Sequence, residues 1–297
     1  MAAVVGRKAV TILSGFTYHK GPRWRDGRFW VSDIYTRRII SCRADGSDLR
    51  VEMAAPDQTA GIDWLPDGRL IAVSMTNHAL LRRELDGDIV VHADLSGSLV
   101  GLGNEVVVDQ ASGRAYVGDF GFDLFGGESV RPTSLWCVEL DGSVHEAADR
   151  LFFPNGSVIK DGVLIVNESW GSRTTAFDIR TDGSLANRRE WARYGEPTGR
   201  LNACSAIAAM AIAPGGCALD SEGALWIADF AHRRCVRVLP GGHLVDEFVV
   251  DTGAFSCALG GENGRTLFVC TANNFDPAER SADPQAAVIA IEVDIPA

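Results

Sequence analysis

The chain has 297 residues, 46% of them hydrophobic and 32 of them glycine, with a formal net charge of −11. That is enough apolar material for one large closed β architecture, and the glycine supply suits a fold with many tight turns. The acidic balance argues against nucleic acid or an anionic membrane as partner and fits a neutral or cationic small molecule better; no run approaches the eighteen or so apolar residues of a spanning helix.

The first residues, through Leu13, lack the uninterrupted apolar stretch of a secretory signal. Seven cysteines at 42, 137, 204, 217, 235, 257 and 270 form an odd set without C-x-x-C spacing. Buried, reduced thiols in a cytoplasmic protein are therefore expected, rather than disulfides or a thiolate metal site.

A short strand, a glycine-containing turn and a second strand recur along the chain. The copies are KGPRWRDGRFWVSD (20–33), AGIDWLPDGRLIAVS (60–74), NEVVVDQASGRAYVGD (104–119), NGSVIKDGVLIVNE (155–168), GGCALDSEGALWIAD (215–229) and FSCALGGENGRTLFVCT (255–271). Asp26-Gly27, Asp67-Gly68 and Asp161-Gly162 are hairpin signals. Further strand pairs at 38–53, 79–93, 134–148, 174–192 and 235–250 fill the intervals. About four strands per period of roughly 40 to 60 residues is the pattern of propeller blades. The prediction is an all-β, six-bladed β-propeller forming one domain over residues 1–297. AAVIAIEVDI (286–295) and the outer strand AVTILSG (9–15) are expected to complete the sixth blade together, which removes exposed edges.

In each copy the first residue enters the innermost strand at the mouth of the central channel. Symmetry then brings Lys20, Ala60, Asn104, Asn155, Gly215 and Phe255 into one ring. One cation and two amides converging on a channel mouth make the expected functional site. Either asparagine alone also reads as an ordinary strand or turn starter.

The motifs GPRWRDGRFWVSD, WLPDGRLIAVS, GRAYVGDFGFDLFGG, FPNGSVIKDG, LDSEGALWIAD and FVCTA resemble, in order, the blade cores of one family. It is the senescence marker protein (regucalcin), gluconolactonase and luciferin-regenerating enzyme family, and the resemblance runs from about residue 15 to 295. It implies the same propeller, lactone or ester hydrolysis, and a divalent cation at the channel mouth. The family's metal ligands are a glutamate before the first G-P, the asparagine of P-N-G and an aspartate in a fifth-blade P-D-G. Here only Asn155 matches; Lys20 and Gly215 stand at the other two positions. Asn104 matches a third-blade asparagine that faces the substrate. Two amides beside an ammonium offer a hard cation no negative charge, and at about 4 Å the repulsion is several kcal/mol. No metal or other cofactor is expected.

Three roles for Lys20 remain open at this level. Its ammonium can polarise a carbonyl or stabilise an oxyanion, with Asn104 and Asn155 orienting substrate. A desolvated amine can act as a base or form a Schiff base. Or the lysine can pair with a carboxylate in a site that only binds. The expected activity is accordingly a metal-independent hydrolase of a lactone, ester or related bond. The alternatives are a lyase, cyclase or condensing enzyme, and a non-catalytic binder.

His19, Glu168, Trp170 and Phe255 are expected to contact substrate, although strand alternation turns His19 and Glu105 away from their ring neighbours. Asp33, Asp119, Glu168 and Asp229 end second strands, where capping of turns competes with a functional role. His78 and His232 lie in turns. The segments 202–216 and 121–127 are expected to cover the mouth and make it hydrophobic, suited to a bulky apolar substrate rather than a sugar lactone.

Overall fold

The computed structural model describes residues 7–196 and 203–297. Six four-stranded antiparallel sheets are present, and the innermost strand of each packs on that of the next, the sixth returning to the first. The fold is a six-bladed β-propeller. The innermost strands, in blade order, are His19–Arg25, Thr59–Trp64, Gly103–Val108, Pro154–Lys160, Pro214–Leu219 and Gly253–Gly260. In the sixth blade Gly253–Gly260 is followed outward by Thr266–Ala272, Ala286–Glu292 and, from the other end of the chain, Ala9–Phe16. The predicted closure is present.

The core is divided into wedges between neighbouring blades. Ile39 and Met53 of blade 1 meet Ile62 and Leu70 of blade 2, and Val73 and Leu80 of blade 2 meet Val106 and Val117 of blade 3. Because a second strand has a neighbouring blade on either face, it is buried almost throughout, as in Leu70–Ser74. Outer strands are largely open to solvent, and in Leu244–Val249 half-buried and exposed residues alternate. Burial along a strand thus falls with its distance from the axis.

Cys42, Cys137, Cys217, Cys235, Cys257 and Cys270 are free and buried. Burial pushes the Cys42 thiol up to about 11 and the Cys137 thiol up to about 12. Among the described residues no helix is long and apolar enough to cross a membrane. Residue 202 and the residues before it to 197 lie outside the described part; the rest of the 202–216 segment contains the short helix Ala203–Ala209.

Candidate active site

Every innermost strand carries a register shift within a residue or so of its ring position. Between Thr59 and Ile62, Gly103 and Val106, Pro154 and Ser157, and Pro214 and Cys217, two residues face one on the partner strand. Blade 1 has the same shift between Lys20 and Arg23, and blade 6 between Ala254 and Ser256. A bulge re-aims side chains that strict alternation would send into the blade. Here it turns the ring residues toward the axis: Lys20, Ala60, Asn104, Asn155 and Phe255 line one cavity of about 130 Å³ at the channel mouth.

Glycine follows the ring residue in four copies because blades touch there. A Cβ on Gly61 would lie 2.5 Å from Val106 N, one on Gly156 2.5 Å from Cys217 N, and one on Gly216 2.9 Å from Ser256 Cα. Blade 3 carries Glu105 instead. Its carboxylate passes over Gly61 and meets Arg23 of blade 1 at 2.9 Å. Glu105 therefore points into the channel, contrary to the expectation from alternation, and the bulge is the reason. Arg23 also donates to Val106 O at 2.9 Å, so this ion pair closes the channel from blade 1 to blade 3.

Lys20 spans the channel mouth itself. Its ammonium donates to Asn155 Oδ1 on blade 4, the blade opposite in the ring. The Asn155 amide nitrogen donates to Ser169 Oγ at 3.0 Å, and Ser169 donates to Pro214 O at 2.7 Å. Asn155 is thus engaged at both ends, by Lys20 and by Ser169, while its side chain also lines the cavity. Asn104 donates its amide N–H to Pro154 O at 2.9 Å, which leaves its carbonyl oxygen for the cavity. Burial lowers the Lys20 pKa; Glu105 offsets part of that, and Arg23 adds to it.

The walls come from two further sets of blade-equivalent positions. Two residues before the ring stand Tyr18, Gln58, Leu102 and Phe153; one residue past the second strand stand Ile34, Met75 and Phe120, with Phe230 in blade 5. The two sets are tied together by one repeated hydrogen bond: Ile34 N to Tyr18 O (2.9 Å), Met75 N to Gln58 O (2.8 Å), Phe120 N to Leu102 O (3.0 Å) and Ser169 N to Phe153 O (3.1 Å). Trp170 lies one residue further on, in the 3₁₀ turn Ser169–Gly171, and is buried against Phe153 at 4.5 Å between ring centroids. Of segment 121–127, Leu124 and Phe125 line the cavity; Ala206 and Met210 pack in the apolar cluster behind Trp170.

Two of the expected contacts lie elsewhere. His19 is buried against Phe16 at 5.0 Å, facing the Asp33 carboxylate and the Ala287 backbone, and burial depresses it to about 4. It sits on the ordinary side of its strand, ahead of the bulge. Glu168 is fully buried, held by Arg173 at 2.7 Å, and it accepts the Phe152 N–H at 3.0 Å. The same latch recurs: Asp33 accepts from Thr17 and Tyr18 N–H, Asp119 from Val100 and Gly101, and Asp229 from Ala213. These acids fasten the loop that leads into the innermost strand, so turn capping describes them. His232 pairs with Asp229 at 3.0 Å, and His78 faces a neighbouring cleft beside Gly101 and Leu124.

An ion pair thus links blades 1 and 3 across the inner strands, and an aromatic cavity lies over Lys20 at one end of the axis, in a six-bladed propeller. The profile described as the SMP-30/Gluconolactonase/LRE-like region matches residues 19–273. An L-arabinolactonase of Azospirillum brasilense is 29% identical over 269 residues, covering 86% of this chain and 81% of that protein. The solved luciferin-regenerating enzyme superposes with a TM-score of 0.78 at 16% identity, over 98% of this chain and 97% of that one. A gluconolactonase from Xanthomonas campestris gives 0.72 at 23% identity, over 99% and 92%. The chain belongs to the SMP-30/gluconolactonase/LRE-like family.

The residues at that family's metal positions do not fit a divalent cation. Asn155 Oδ1 already accepts from the Lys20 ammonium. At Gly215 even a Cβ would stand 2.5 Å from Phe255 O, so the position has no room for a carboxylate as the backbone lies. Glu105, the carboxylate whose charge acts on Lys20, is taken by Arg23. Hard cations require several oxygen ligands with compensating negative charge, and this ring supplies an ammonium instead.

Proposed function

We propose that the protein hydrolyses a lactone or a related ester without a metal ion. The observation that carries this is the Lys20 ammonium on the channel axis at the floor of the cavity, tethered to Asn155. Membership of a family whose relatives are named lactonases supports the reaction class. A substrate carbonyl pointing down reaches the ammonium, and the Asn104 carbonyl oxygen can accept from the attacking water. Water oxygen adds to the acyl carbon and Lys20 stabilises the oxyanion. The acyl–oxygen bond then breaks, and the water's proton passes to the leaving alkoxide, giving a hydroxy acid. Removing one such preorganised charge costs on the order of 10²–10³ in kcat.

The test is a Lys20→Met variant beside chelator-treated wild type. Expected is a loss of about 10²–10³ in kcat/KM for the variant and unchanged activity after chelation. A stoichiometric divalent metal in purified protein, or full activity in Lys20→Met, overturns the proposal. A second reading has one observation in its favour, the burial that lowers the Lys20 pKa. A neutral amine there could form a Schiff base with a carbonyl substrate, as in a lyase or condensing enzyme; borohydride trapping of a covalent adduct on Lys20 would select it. Ligand binding without turnover of any ester would select the non-catalytic binder.

A further inference from the structure

The cavity wall offers a polyhydroxylated ligand few partners: its polar side chains are Tyr18, Lys20, Tyr35, Gln58, Asn104 and Asn155, and Tyr35 and Asn155 are engaged within the protein. Six aromatic rings run around it from blade 3 through blades 4, 5 and 6 to blade 1. Their centroid separations are 4.3 Å for Phe120–Phe153, 4.5 Å for Phe153–Trp170, 5.8 Å for Trp170–Phe230, 6.4 Å for Phe230–Phe255 and 5.2 Å for Phe255–Tyr18. The belt is interrupted only at blade 2, where Gln58, Ala60 and Met75 replace it. Among the described lining residues no carboxylate, arginine, serine or threonine faces the cavity.

A sugar lactone carries several hydroxyls, each needing a partner once removed from water. The belt offers rings, and the floor amides are largely spent within the protein. A flat aryl group, by contrast, gains both apolar burial and ring–ring contact on this wall. A cation would face the Lys20 ammonium with no lining carboxylate to offset the repulsion.

Resting on the lactone-hydrolase reading, we propose that the site takes a neutral aryl-fused lactone or ester. Its ring lies in the aromatic belt, its carbonyl points to Lys20, and any polar ring substituent points to the blade 2 sector at Gln58. The ligand class and the chemistry can be tested apart with hydrolysis-resistant lactams. Isoindolin-1-one, the lactam of phthalide, is titrated calorimetrically against wild type beside gluconolactam, and phthalide hydrolysis is followed separately.

The aryl lactam should bind at least about ten-fold tighter than the sugar lactam. Phe230→Ala, with an unchanged melting temperature, should erase that preference, and Phe230→Leu should keep part of it. Gluconolactam binding as tightly as or tighter than isoindolin-1-one, or a preference that survives Phe230→Ala, overturns the substrate class. If the aryl lactam binds as expected while phthalide is hydrolysed no faster by wild type than by Lys20→Met, the class stands and the hydrolase reading fails. Lys20-dependent hydrolysis of D-glucono-1,5-lactone with no aryl lactam binding fails the class alone.

Discussion

At the scale of single residues, the position of Lys20 decides which protonation state can act. As an oxyanion stabiliser the side chain works only as the ammonium, so activity is present below its pKa and lost as pH rises through it. Burial lowers that pKa, and the Glu105 carboxylate limits the fall. The alkaline limb of kcat/KM should therefore begin below the value near 10.4 of a free lysine. It should move further down when Glu105 is replaced by Gln, which removes the offsetting charge. A pH–rate profile of the two proteins checks both points; a limb that does not respond to Glu105→Gln dissociates it from Lys20. The ring containing Lys20, Asn104 and Asn155 is legible in the sequence because the repeat locates equivalent positions. The bond between Asn155 and Lys20 is not, since the contact joins residues 135 apart across the axis. Glu105 is not legible from alternation, because a bulge that no residue type announces re-aims it; His19, ahead of the bulge, obeys alternation and faces away from the cavity.

Among the blade elements, the acids ending the second strands are structural latches rather than substrate contacts. Glu168 shows what such a latch contributes. It is inaccessible to solvent and meets Arg173 and Arg188 as well as the Phe152 N–H. Removing one partner of a buried pair costs up to about 3–5 kcal/mol, and the partial exposure of both arginines argues for the lower end. Glu168→Ala should lower the melting temperature by about 5 °C or more, with Phe153 and Trp170 losing their placement. Thermal unfolding followed by near-ultraviolet circular dichroism reads stability and aromatic order together. An unchanged melting curve would show that the loop holds by packing alone. The repeat that locates the ring also locates the walls of the cavity. Carried two residues upstream, it yields Tyr18 and Phe153; carried one residue past the second strands, it yields Phe120 and Phe230. What the sequence could not supply is the hydrogen bond that brings the two sets to the same rim.

For the whole molecule, closure places Ala9–Phe16 beside Ala286–Glu292 in the sixth blade. Most of that first strand is exposed, and Leu13 is its buried anchor, packed with Phe29 of blade 1 and Phe268 of blade 6. Deleting the residues through Phe16 should remove at least about 2 kcal/mol, the contribution of one such buried side chain, and leave an unpaired strand edge. A lower melting temperature together with concentration-dependent association in sedimentation velocity is the expected outcome. A truncated chain that melts like the intact one would make this strand dispensable. Closure itself was readable, because Ala286–Glu292 has strand character and no hairpin partner of its own downstream.

The contacts at Gly61, Gly156 and Gly216 have a consequence for how this scaffold can change. Main chain presses on main chain there, so the bore of the channel is gauged by backbone and not by the side chains that decorate its rim. Rim groups can then be exchanged, a carboxylate for an amine or a polar wall for rings, while the frame keeps its diameter. Such a frame lets chemistry drift faster than shape. Outward resemblance between two of these proteins is consequently a poor guide to what each one turns over, and the rim residues are the ones to compare.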